Sequence, residues 1–175
     1  MNNYQSAAHP KENNIDVKTA LFYLFVFLAS SVIFAFVCYL FSAKNFFDFS
    51  VNGEPSFFLS SNTLCYITLI ALCFLGLGSY LMWFSKYDAN RPKKEIFENF
   101  ISLAISLILF LLYPLFTFAL ALPIFGAIIL GLVIVVSIYT TYRYFNSSIG
   151  SGIFITVWTL WLMYVFVLNF AYCLL

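Results

Sequence analysis

Charge is what this sequence lacks. Only 9% of its 175 residues are Asp, Glu, Lys or Arg, whereas a soluble domain needs about a quarter of its residues charged to clothe its surface. A water-soluble globular fold is excluded. Eight Lys and Arg against seven Asp and Glu leave a net charge of +1, with no basic excess to neutralise a phosphate backbone, so nucleic acid is not an expected partner. Histidine occurs once, as His9 in a polar N-terminal stretch, and reads as a solvated side chain. The four cysteines, Cys38, Cys65, Cys73 and Cys173, lie in apolar stretches without the spacings of a metal site or a disulfide framework. They read as small apolar residues, and no metal is expected. A Gly-rich phosphate loop and a G-x-S-x-G elbow are also missing.

What fills the chain instead is apolar: 63% hydrophobic residues, with 23 Phe and 12 Tyr. A membrane span needs about 20 such residues, because the hydrocarbon layer is roughly 30 Å thick and a helix rises about 1.5 Å per residue. Four blocks reach that length, about 19–41, 63–84, 100–142 and 149–175. The third is long enough for two spans, and Pro123 after Ala119-Leu-Ala-Leu supplies a breaker near its middle. One uninterrupted helix there would push bare Ile, Leu and Val far into water. The expected fold class is therefore all-α, an integral membrane five-helix bundle. Its helices are expected at about 19–42, 63–84, 98–118, 124–145 and 149–173, in a domain 18–175 that follows a disordered polar tail, 1–17.

Seven of the eight basic residues (Lys11, Lys18, Lys86, Arg91, Lys93, Lys94, Arg143) fall on one side of this topology, and only Lys44 on the other. Basic residues in short loops stay in the cytoplasm. This orientation puts the N-terminus inside and the C-terminus outside, in a multi-pass protein assigned to the plasma membrane. The first loop, 42–62, carries five phenylalanines and turn residues at Asn52-Gly53 and Pro55. It reads either as a lid over the bundle or as an interfacial aromatic belt.

Ionisable side chains inside a bilayer are costly and mark catalytic or relay sites. None falls within a predicted helix core; Glu95, Glu98 and Arg143 sit at helix ends, within reach of headgroups. That pattern argues against proton-coupled transport, zinc proteolysis and paired-carboxylate catalysis. The spans hold weakly polar and aromatic groups instead, among them Thr68, Tyr80, Tyr113, Trp158, Trp161, Tyr164 and Asn169. Trp158, Trp161 and Asn169 can share one side of the last helix. Stacking rings with few hydrogen-bond donors suit a flat hydrophobic ligand, though each ring alone fits a packing or lipid-facing role equally well. Small residues four apart, Ser102 with Ser106 and Ala127 with Gly131, permit close helix approach and leave internal packing and a homodimer both open. Two stretches, Val136 to Arg143 and Leu81 to Arg91, match a loose cholesterol-contact pattern.

Several segments resemble the TspO/translocator-protein family, the tryptophan-rich sensory proteins, which are five-helix membrane proteins of about this length. Pro55-Ser56-Phe57 resembles the family's Pro-Ser-Trp in the first loop. Gly76 with Ser79-Tyr80-Leu81 resembles its second-helix pattern, and Trp158-Thr-Leu-Trp161 with Leu168-Asn169 its fifth-helix ending. Leu59-Ser60, Thr68, Phe110, Tyr113 and Val157 stand where the family carries a double Pro, Trp, Asn, Trp and Pro. The resemblance implies a bundle that binds porphyrin or haem-like tetrapyrroles, or sterols, beneath the first loop, in a sensory, regulatory or transport-related role. By carry-over its pocket is lined by Phe57, Tyr80, Tyr113, Trp158, Trp161 and Asn169. Some bacterial members degrade protoporphyrin in light; with fewer indoles here, binding without turnover is expected, so the chain is not expected to be an enzyme. The expected partners are the lipid bilayer and a hydrophobic small molecule. The alternative reading is a structural subunit of a larger membrane complex that has lost ligand binding.

Overall fold

Helix is the only way for these apolar blocks to satisfy their own backbone in lipid. The computed structural model of the chain describes residues 17–42, 59–85 and 93–174. Five helices result: α1 Val17–Phe41, α2 Ser61–Ser85, α3 Lys93–Pro114, α4 Pro123–Ser147 and α5 Ile149–Leu174. All five are long and apolar enough to cross a membrane, so this is an all-α membrane bundle. The stretch expected to be a disordered tail lies outside the described residues, apart from Val17, which opens α1. α3 starts five residues ahead of the expected boundary, because Lys93, Lys94 and Glu95 are good helix formers that carry the helix beyond the apolar block.

Local chemistry sets the ends. The Ser60 hydroxyl caps α2, accepting from the Thr63 N–H at 3.3 Å. The fold-back of the long block falls where Pro123 suggests, with Pro123 in the first turn of α4. The last turn before it is not α-helical. Pro114 has no N–H to give the preceding turn, and Leu115–Ala119 form a π-helical segment. Leu120 N–H then reaches Leu115 O at 3.0 Å, Leu122 N–H reaches Phe116 O at 2.8 Å, and Ala121 at φ 52° reverses the chain. Between α4 and α5 only Ser148 leaves the helix, at φ −158°. Gly152 makes so short a hairpin feasible: a Cβ there would stand 2.9 Å from the Phe145 Cα.

Around the bundle the order is α1, α2, α5, α4, α3, with α3 returning only lightly onto α1. The helices alternate in direction, as cross-helix pairs near both ends show: Asn99 with Ser147 at one end and Asn169 with Pro123 at the other. The end with Lys18, Lys94 and Arg143 is called the basic end here, and the opposite one the first-loop end. α1 is the peripheral member, 11% buried over its most apolar window against 44% for α2 and α5. Large apolar residues such as Phe25, Ile33, Ile108, Val135 and Leu160 face outward from the bundle, an arrangement stable only against lipid.

Candidate functional site

The aromatic seam of the interior is built from α2, α3 and α5. On α5, Trp158 and Trp161 are both buried, with Trp158 at 0% exposure. The Trp158 ring meets Phe110 of α3 edge to face, centroids 5.1 Å apart, and Phe110 in turn meets Tyr113 at 5.8 Å. Trp161 donates its indole N–H to the Thr68 hydroxyl of α2 at 3.1 Å. Thr68 passes its own hydrogen to Leu64 O at 2.8 Å, so this hydroxyl links two helices while remaining satisfied. On its α1 side a recess of about 190 Å³ lies among Ala35, Tyr39, Cys65, Tyr66 and Leu69.

This seam also holds polar atoms with nothing to bind. Trp158 Nε1, the Tyr113 hydroxyl, the Thr117 hydroxyl and Asn169 Oδ1 are buried without a hydrogen-bond partner. Asn169 is half satisfied, since its amide donates to Pro123 O at 3.1 Å. Thr117 lies on the π segment against Gly126, where a Cβ would collide with its Oγ1.

Of the six residues expected to line a pocket, Tyr113 and Trp158 meet through Phe110, and Trp161 lies one turn along the same buried side of α5. Asn169 is buried two turns further on and contacts the start of α4 instead. Tyr80 stands apart: it packs on Phe84 at 4.6 Å and Phe27 at 6.5 Å, about 18 Å along α2 from Thr68 toward the basic end. Phe57 lies outside the described residues.

A second polar feature escaped the sequence reading. Asn99, 0% exposed, donates to Ser147 Oγ at 2.8 Å and accepts from Arg143 Nε at 2.8 Å. Arg143 Nη2 donates to Glu98 Oε2 at 2.9 Å, and Ser147 Oγ to Glu95 Oε1 at 2.8 Å. Arg143 therefore pairs with Glu98 and Asn99, and Glu95 with Ser147, while Glu98 stays 43% exposed at the helix end, where the sequence reading puts it within reach of headgroups. Partnering within the protein offsets the cost of holding these charges at the edge of the membrane. Two turns deeper on α3, Ser106 and Ser137 share a hydrogen bond of 2.7 Å. The signal was present in α3 as Glu95, Asn99, Ser102 and Ser106, polar at alternating steps of four and three, which is one helix face.

A five-helix membrane bundle with an aromatic, hydroxyl-bearing seam beneath its first-loop end is thus the class of protein defined by fold and site. The TspO/MBR family model matches residues 25–175, and the chain belongs to that family. Comparison with curated proteins and with solved structures gives no significant match.

Proposed function

We propose that this TspO/MBR protein binds a hydrophobic ligand, tetrapyrrole or sterol-like, in the seam beneath its first loop, and that it senses or regulates rather than catalyses. The observation that carries this reading is the pair of buried, unpartnered donors, Trp158 N–H and Tyr113 O–H. A buried donor without a partner costs about 1–3 kcal/mol, and a ligand oxygen or ring nitrogen would recover it. Stacking against Phe110, Trp158 and Trp161 adds about 0.5–1.5 kcal/mol per ring. The recess beside Thr68 holds only about 190 Å³, below the roughly 300–1,000 Å³ of drug-sized pockets, and is lined by α1 and α2 rather than by Trp158 or Tyr113, so a ligand that reaches those donors requires α1 to shift outward. α1 is the least buried helix and the one best able to do so. The basic residues favour an orientation with the basic end in the cytoplasm, at the plasma membrane.

The test is a protoporphyrin titration of the purified chain in detergent, read by tryptophan fluorescence. Saturable quenching at tens of micromolar is expected, with Trp161→Ala weakening it about tenfold. Phe25→Ala, at a side chain 70% exposed to lipid, should leave it unchanged. Absence of saturable quenching would remove the tetrapyrrole reading in favour of the structural-subunit one. Direct packing of Phe110 on Trp158 at the bundle centre supports that second reading. Porphyrin breakdown in light would refute the non-enzyme assignment.

A further inference from the structure

α1 and α3 meet at two aromatic bridges and leave a gap between them. Toward the basic end Phe27 stacks on Phe100, centroids 6.2 Å apart at 20°. Toward the first-loop end Phe34 meets Phe110 at 6.4 Å. The bridges are two turns apart on α1, about 10 Å. Between them, floored by α2, lies a cleft of about 290 Å³ whose wall is mostly apolar, with Ser30, Ser31 and Ser79 as its polar members and Ala104 on the α3 side. Ala104 and Ser30 are exposed, so the cleft faces the lipid rather than the bundle interior. The Phe34–Phe110 pair stands between it and the Trp158 seam.

The serines give this cleft a chemical preference. Ser30 Oγ donates to Phe27 O at 2.7 Å, and Ser31 Oγ donates to the same carbonyl at 3.1 Å. A hydroxyl has one hydrogen and two lone pairs, so with both hydrogens committed Ser30 and Ser31 are left as acceptors, while the Ser79 hydroxyl on the α2 floor has no hydrogen-bond partner. Both sit near the middle of a 25-residue helix, at a depth that charged headgroups do not reach.

We propose that this cleft is a binding site, separate from the aromatic seam, for a compact neutral molecule dissolved in the bilayer and carrying a single O–H or N–H donor. The donor bonds the Ser30 and Ser31 hydroxyls while the apolar body fills the gap between the two aromatic bridges. The site admits ligand sideways, since α1 and α3 touch only lightly.

The experiment reconstitutes the full chain in phosphatidylcholine vesicles and photolabels it with a diazirine derivative of octanol, mapping adducts by peptide mass spectrometry. Adducts are expected to saturate and to concentrate on residues 27–34 and 100–107. Unlabelled octanol should compete about fivefold better than its methyl ether, which lacks the donor. Ser30→Ala with Ser31→Ala should remove that preference, and Ala104→Phe, which fills the gap from its lipid side, should lower labelling at least fivefold. Adducts that fail to saturate and scatter over the outward faces of all five helices would overturn the proposal. Equal competition by alcohol and ether in the unsubstituted chain, a comparison that needs no variant to fold, would do the same.

Discussion

The two buried tryptophans of α5 differ in one bond, which makes them a controlled comparison. Trp161 donates to Thr68 at 3.1 Å, whereas the Trp158 N–H has no partner. Replacing either with Phe removes part of an indole from a packed interior, a loss of about 1–2 kcal/mol on the scale of core truncations. At Trp161 the lost hydrogen bond adds about 0.6 kcal/mol, up to about 1.7 in membrane proteins. Thr68 is not orphaned, because its hydroxyl still donates to Leu64 O. Trp161→Phe should therefore destabilise by about 2 kcal/mol. At Trp158 the same packing loss is offset by removal of an unsatisfied donor, worth about 1–3 kcal/mol, so Trp158→Phe should fall within about 1 kcal/mol of the parent. Thermal unfolding in detergent resolves this, at about 2–4 °C per kcal/mol for a chain of this size. In the same preparation Trp158→Phe should weaken protoporphyrin binding by about two- to tenfold. If Trp158→Phe lowers stability as much as Trp161→Phe does, the Trp158 N–H is satisfied in the unliganded protein, and it no longer argues for a ligand.

With the native cysteines replaced, cysteines at Ser85 and Asn146 should react with an impermeant maleimide only from the cytoplasmic face, and one at Asn52 only from outside; labelling of Ser85 and Asn52 from one side would refute the orientation. Insertion of a few polar residues after Leu120, at an exposed turn, should leave membrane insertion and expression nearly unchanged, whereas Ala121→Gly should raise stability by about 0.5–1 kcal/mol, since Ala121 holds φ 52°. Asn99→Ala removes one neutral and one charge-assisted hydrogen bond and should lower stability by about 2–4 kcal/mol in the same unfolding assay, with a smaller loss when Arg143→Met is already present.

The helices were legible because each is a block of apolar residues longer than a bilayer requires, and the hairpin in the third block was legible because Pro123 marks it. The π segment was not. Its cause is Pro114, which in a list of apolar residues looks like another space filler, and only the position of its missing N–H relative to the helix end makes the last turn widen. In the candidate site, the burial of Trp158, Trp161 and Asn169 follows from their spacing on one helix. Motif order says nothing of depth along a partner helix, however. Tyr80 belongs to the same stretch of α2 as Thr68, but three helical turns separate them, enough to set Tyr80 in the basic half with Phe84. Asn99 escaped notice because polar residues near a helix start look like headgroup anchors. Its role depends on Arg143 and Ser147, more than forty residues away, and no local pattern links those positions.

The charged polar groups of α3 and α4 gather at one end of the bundle. At the basic end Glu95, Glu98, Asn99, Arg143 and Ser147 bind one another across α3 and α4, and the Ser106–Ser137 bond continues the seam inward. From the middle of the bundle to the first-loop end, Trp158, Tyr113, Thr117 and Asn169 each retain an unpartnered atom, as do Ser79 and Tyr144 in the basic half, outside that charged network. In hydrocarbon such atoms find no water, so each raises the free energy of the unliganded state. Networks that are fully paired resist displacement, because opening them exposes charge as well as breaking bonds. Unpaired groups carry no such resistance, and any rearrangement that brings them a partner is favourable. On the proposed reading, the half nearer the first loop reorganises around the ligand because the charged network lies in the other half, where it holds α3 and α4 in register.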